Sequence, residues 1–183
     1  NKSRMVAGYC WNWISEGKDN TNVYDITIPE HNFGMSWNLG SSSTWAIDRN
    51  SVNEIGCIHT CQGLEFDYVG VIIGDDIRYE NCQIVTDYTK RAKTDQSLKG
   101  INKIAKKEGI AEANKMADAI IKNTYRTLMT RGQKGCYIYC EDKSLADYLR
   151  SRINRCNEIT YSIDEEETYE LEVAEDSEEY RYE

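Results

Sequence analysis

The sequence predicts an α/β domain with a mostly parallel sheet. Three observations predict it. Short apolar stretches of strand character recur along the chain. Helical patterns over 111–130 and 142–152 are interleaved with the later ones. One stretch, Tyr68-Val69-Gly70-Val71-Ile72-Ile73-Gly74, is apolar without alternation, as a strand buried on both faces would read.

Ser3 to Cys10 reads as the first strand, and the polar residues 11–22 as a loop. Val23 to Ile28 alternates with period two and stops at Pro29, the single proline. Residues 30–53 carry Gly34, Gly40 and Ser41-Ser42-Ser43 and read as irregular. Asn53 to His59 is a third predicted strand and Tyr68 to Gly74 a fourth. Residues 86–109 are polar and basic: between Lys90 and Glu108, seven Lys or Arg face two acids, Asp95 and Glu108. This stretch reads as a solvated helix or as a track for a phosphate backbone. In 111–130, Met116, Ala117, Ile120, Ile121, Thr124 and Leu128 form a stripe at helical spacing, with Gly132 as a stop. Gly135 to Cys140 is a fifth strand, and Asp142 to Arg152 a helix with Leu145, Tyr148 and Leu149 on one side.

The chain has 183 residues, enough to bury a core, and 40% of them are hydrophobic. No apolar run approaches a membrane span of ~20 residues, and no secretory signal opens the chain. It begins with Asn, as a piece of a longer protein or a processed chain would. The net charge of −9 is unevenly placed. Residues 157–183 hold twelve acids and one arginine, a balance of −11, while residues 1–156 hold nineteen acids and twenty-one Lys or Arg, a balance of +2. The expected division is therefore a folded domain over 1–156 and an acidic tail over 157–183. The tail reads either as disordered or, through Tyr169 to Val173, as an edge strand. The near-neutral body leaves nucleic acid open as a partner. Seven cysteines, an odd number, read as reduced thiols in a cytoplasmic protein. Two CxxxC spacings and two histidines make a poor zinc set, so no metal site is expected.

Two stretches suggest halves of one site: Gly56-Cys57-Ile58-His59-Thr60-Cys61-Gln62-Gly63-Leu64-Glu65-Phe66 and Thr127-Leu128-Met129-Thr130-Arg131-Gly132. In an α/β sheet, ligands collect at the carboxyl ends of strands, where His59 to Gly63 is expected to lie. A hydroxyl, an amide and a backbone opened by Gly63 suit phosphate oxygens. Glu65 suits a ribose hydroxyl. Thr130 and Arg131 end a helix, and a guanidinium fork fits phosphate geometry. Of the four tryptophans, Trp37 is the candidate for base stacking because it sits in an irregular segment.

IHTCQGLEFDYVGVIIG resembles motif V of superfamily I helicases, and YRTLMTRGQKGCYIY resembles their motif VI, in the same order. The wording is closer still to the uncharacterised Schlafen group-three-like DNA/RNA helicase domains, over about residues 3–150. The resemblance implies a RecA-like, P-loop NTPase-type fold, the second helicase domain of an ATP-dependent helicase or translocase. It makes Arg131 the arginine finger and places Gln62, Gly63, Glu65 and Thr130 at the nucleotide, with His59 and Thr60 on the nucleic-acid backbone. ATP with Mg²⁺ is the implied cofactor. Single-stranded DNA or RNA and an upstream RecA-like domain are the implied partners, with no membrane. One departure matters: no GxxxxGK[ST] is present, since Gly17-Lys18 is followed by Asp19 and Asn12 stands where the first glycine belongs. The phosphate loop and the metal-binding acid are then expected on the upstream domain, which holds the nucleotide, and the chain alone is expected to be inactive. A non-catalytic interaction module derived from the same fold is the alternative. A nuclease built on Glu65, Asp67 and Asp75 lacks the usual acid-x-Lys pattern.

Overall fold

A computed structural model describes residues 3–14, 22–38 and 44–158. The predicted tail beyond 158 lies outside the described residues. Six strands form one sheet: β1 (Ser3–Ala7), β2 (Ile26–Ile28), β3 (Phe33–Trp37), β4 (Glu54–Gly56), β5 (Phe66–Ile73) and β8 (Gly132–Cys140), in the order β2-β3-β4-β1-β5-β8. All neighbours are parallel except β2 and β3. A separate antiparallel hairpin joins β6 (Ile77–Glu80) to β7 (Gln83–Thr86). The helices are α1 (Ile58–Cys61), α2 (Ile101–Glu108), α3 (Ile110–Met129) and α4 (Lys143–Glu158). This is an α/β fold of the RecA-like type, with β4 and β1 at the centre of the sheet.

One face of β5 presents Val69, Val71 and Ile73 to the helices, where Ile121, Tyr125, Leu128 and Leu145 meet them. Ile72 points to the other face, into a cluster with Ala7, Ile26, Ile55 and Trp37. β5 is thus buried on both sides over its second half, which explains its unbroken apolar run.

Three sequence expectations change. The third strand stops at Gly56, so His59 lies on the single turn of α1. Cys57 and Thr60 cap that turn reciprocally, which ends the strand early. Residues 30–53, read as irregular, contain β3. The buried stripe of α3 is Ala113, Ala117, Ile121, Thr124, Tyr125 and Leu128. Met116 is 41% exposed at its border, and Tyr125 takes the central place. Asp75-Asp76 forms the turn into β6, with Asp76 fully buried.

A buried polar network fastens residues 87–98 to the carboxyl edge of the sheet. The Arg91 guanidinium donates to Asp76 at 2.9 Å and to Asp95 at 2.7 Å. The Tyr125 hydroxyl donates to the other Asp76 oxygen and accepts from Gly74 N–H at 3.1 Å. Asp95 also accepts from the backbone and hydroxyl of Ser97. Burial alone would lower the Arg91 pKa, but the two carboxylates outweigh it and hold the guanidinium above its ordinary range. Gly8 makes room for Tyr125, because a Cβ there would overlap its hydroxyl.

Candidate nucleotide edge and nucleic-acid groove

The residues of the two motifs fall into two neighbouring places. The first is the amino end of β5 and β8. Phe66 pairs with Gly132, so the residues just before them, Glu65 and Arg131, lie side by side. Phe66 N–H donates to the Arg131 carbonyl at 2.8 Å and clamps the two segments together. His59 follows the carboxyl end of β4, as expected, and the parallel course of β4 and β5 then requires the chain to return through α1 and the turn after it to the amino end of β5, where Glu65 lies.

Arg131 is half-buried, and three neutral oxygens orient it. Its Nε donates to the Thr127 carbonyl at 3.1 Å, one terminal nitrogen to the Leu64 carbonyl at 3.4 Å and the other to the Thr130 hydroxyl at 3.3 Å. Thr130 in turn donates to the Thr127 carbonyl at 3.0 Å. Among the described residues, no carboxylate pairs with Arg131. Its charge is held in place and left unneutralised, as a group awaiting an anion would be. Sequence reading missed the Leu64 and Thr127 carbonyls, because which carbonyl a side chain meets depends on the pairing of distant strands.

Glu65 is exposed and accepts from Gln133. Between Phe66/Gly132 and Tyr68/Gly135 the register shifts, with two residues on β8 against one on β5, and at this bulge Gln133 and Lys134 reach β5-side partners. Lys134 meets Asp67 at 3.0 Å. Gly63 adopts φ of +77°, with open space where a side chain would be, so the backbone turn itself demands glycine.

The second place is a groove of about 310 Å³ between α1, α3 and the 95–98 turn. His59, Gln62, Ser97, Asn123 and Thr127 supply its polar lining. His59 is exposed, with Tyr9 edge-on at 6.5 Å. Thr60 does not join it. Its hydroxyl is buried, accepting from Cys57 N–H at 2.8 Å and donating to the Cys57 carbonyl at 2.9 Å, so it caps α1 instead.

Trp37 is a further correction. It is fully buried, stacked between Tyr9 at 5.5 Å and Trp13 at 5.8 Å, and presents no ring face to a base. Trp45 is buried as well, against Phe66. The tryptophans here are packing groups. Cys57, Cys61 and Cys140 are buried and pack as apolar groups, while Cys82 and Cys136 are exposed. Burial lifts the Cys61 thiol to about 12 and the Cys140 thiol to about 11. Among the described residues, no group of three or more His, Cys, Asp or Glu is arranged to hold a metal ion, and no helix is long and apolar enough to cross a membrane.

Comparison with known proteins places the chain in a family. The family model described as "Schlafen group 3, DNA/RNA helicase domain" matches residues 1–142. The chain belongs to this family. It is also 28% identical over 149 residues to the uncharacterized protein YPL245W of Saccharomyces cerevisiae, a match covering 80% of this chain and 31% of that protein. The chain thus spans about a third of that relative's length. No solved structure matches it.

Proposed function

We propose that the chain forms the second of two RecA-like domains in an ATP-dependent nucleic-acid helicase or translocase. It presents Arg131 to the γ-phosphate of a nucleotide held, with Mg²⁺, by a preceding domain. The observation that carries this reading is the Arg131 side chain, positioned by three neutral oxygens beside Leu64 and Glu65 and, among the described residues, paired with no carboxylate. Phosphoryl transfer spreads negative charge over the γ-phosphate oxygens, and an arginine placed there contributes on the order of 10³–10⁵ in rate. In this reading Glu65 accepts from the ribose, and the turn through Gly63 offers backbone N–H groups to the nucleotide. His59 and Gln62 face the nucleic acid across the groove. The family match and the relative, in which this chain accounts for only part of the length, support a motor assembled from more than this domain.

The test is ATP turnover by the protein extended to include the domain carrying GxxxxGK[ST], with and without single-stranded DNA and RNA. Arg131→Ala is expected to reduce nucleic-acid-stimulated turnover by at least 10³-fold while nucleotide binding persists. The 183-residue chain alone is expected to give no turnover. Turnover indifferent to Arg131, or absent with every nucleic acid, would overturn the motor and favour a binding module.

A further inference from the structure

The polar stretch between the two motifs folds into a helical hairpin, α2–α3, that neither motif explains. Its small core, Ile101, Ala113 and Ala117 with Leu98, Ile104 and Ala105 against them, is separate from the cores under the sheet. That packing uses one side of α2 and leaves Asn102, Lys103, Lys106 and Lys107 on the exposed side, one helical face apart by three and four residues. Lys99 stands one turn before them. Among the described residues Lys99, Lys103 and Lys106 form no ion pair, and Lys107 meets only its neighbour Glu108, at 3.6 Å. At the tip, Gly109 turns the chain with φ of +99°, and Ile110 follows it 68% exposed. Met116 lies beyond it, also exposed.

We propose that the lysine face of the α2–α3 hairpin is a second contact surface for single-stranded nucleic acid, continuous with the groove at His59 and Gln62. This rests on the nucleic-acid part of the proposed function and adds a surface outside the motifs. Two observations join the surfaces. Ser97 lines the groove and lies two residues before Lys99. The segment carrying Ser97 is held to the sheet by the buried Arg91, Asp76 and Asp95 network, so the lysines have a fixed position relative to the groove.

The chemistry selects the partner. A row of lysines in which only Lys107 has an acidic neighbour fits a polyanion, and the exposed Ile110 and Met116 on the same hairpin fit a polymer that alternates charged backbone with apolar base faces. A wholly acidic peptide would leave Ile110 and Met116 unused. An anionic membrane would need a continuous apolar stripe to insert, and the apolar side of α2 is already packed against α3. The groove, at about 310 Å³, offers space on the scale of one base with its backbone.

The experiment measures binding of the 183-residue chain to fluorescently labelled oligo(dT) and oligo(U) by anisotropy as salt is raised. Each lysine that meets a phosphate adds about 0.7 to the slope of log K against log salt for a single strand. Replacing Lys103, Lys106 and Lys107 together by Ala is expected to lower that slope by about 2 and to weaken binding at least tenfold at low salt. Replacing all three by Arg is expected to restore the slope, and Ile110→Ser to weaken binding severalfold with the slope kept. An unchanged slope in the triple alanine variant would overturn the inference. So would no binding at about 20 mM salt, or a loss seen with phosphatidylserine vesicles and not with either oligonucleotide. ATP turnover reports on Arg131 separately. Turnover lost in Arg131→Ala with a lysine-independent slope sinks only the hairpin surface. A lysine-dependent slope with no turnover in the extended protein sinks only the motor.

Discussion

Arg91→Ala tests the fold and the reach of the hairpin at once. The Arg91, Asp76 and Asp95 side chains are each 1% exposed or less. Removing Arg91 strands two carboxylates away from water. Asp76 keeps the Tyr125 hydroxyl, and Asp95 keeps the two Ser97 donors, so neither is wholly bare. Breaking a buried ion pair by deleting one partner costs about 3–5 kcal/mol. The remaining neutral donors argue for the lower half of that range, about 3–4 kcal/mol. Against a total stability of about 5–15 kcal/mol, that loss is large. With an m-value of about 2 kcal/mol/M, the urea midpoint should fall by about 1.5–2 M. Tryptophan fluorescence during a urea titration reads it, since Trp37 and Trp45 lie in the two main cores. In conditions where the variant remains folded, the lysine-dependent part of the salt slope should also shrink, because residues 87–98 lose their fastening. A change below about 1 kcal/mol would refute the argument, for it would mean that the network contributes little to holding this segment.

Further outcomes follow from the packing. Gly63→Ala should cost about 1–2 kcal/mol by chemical denaturation through backbone strain alone, since no neighbour crowds the new methyl group. Gly8→Ala should cost at least about 3 kcal/mol, because Tyr125 must leave both Asp76 and Gly74. Tyr125→Phe, which only deletes the hydroxyl, should cost about 1–3 kcal/mol in the same titration. A thiol reagent at neutral pH should label the exposed Cys82 at once and reach Cys61 and Cys140 only on unfolding. Burial lifts these two thiols to about 12 and 11 from an ordinary value of 9.0, so the unfolded chain loses their protons first. Their contribution is complete below pH 9.0 and is lost as pH rises toward 11 and 12, which a melting-temperature series across that window would show.

The parallel sheet was legible because β5 and β8 carry long runs of apolar and aromatic residues, and α3 because its period holds over twenty residues. β3 was not, since Phe33-Gly34-Met35-Ser36-Trp37 mixes glycine and serine into a strand and draws its stability from Trp37 in the core. The β6–β7 hairpin hid for a different reason. Its turn residues Asn81 and Cys82 both take positive φ, of +49° and +61°, where Asn-Gly would have signalled it. Sequence order singled out Arg131, Glu65 and Gly63, and the pairing of Phe66 with Gly132 sets Arg131 beside Glu65. Sequence order could not place Thr60 inside its cap or Trp37 beneath two rings. Both depend on which side of a short element faces inward, and a turn of four residues or a strand of five leaves that unspecified. The Arg91 network was illegible too, since its three charges span nineteen residues without periodicity.

The two places at which the motifs gather share a physical connection. Thr127 lines the groove, and its carbonyl accepts from Arg131 Nε at 3.1 Å. Gln62 lines the same groove and is followed at once by Gly63, whose left-handed turn leads to Leu64, the other carbonyl on Arg131. Each half of the groove is therefore within two residues of a carbonyl that orients the guanidinium. A strand that draws Gln62 toward it must move the Leu64 carbonyl or strain the turn at Gly63. A strand that shifts Thr127 moves the acceptor of Nε. Coupling between a nucleic acid and an arginine needs a contiguous element with two arrangements. α1 with its following turn and the last turn of α3 are the candidates, because both are short and both end at Arg131. In the extended protein, Gln62→Ala should then weaken stimulation of ATP turnover by nucleic acid more than it weakens nucleic-acid affinity. Equal losses in both would make the groove a binding site with no influence on Arg131.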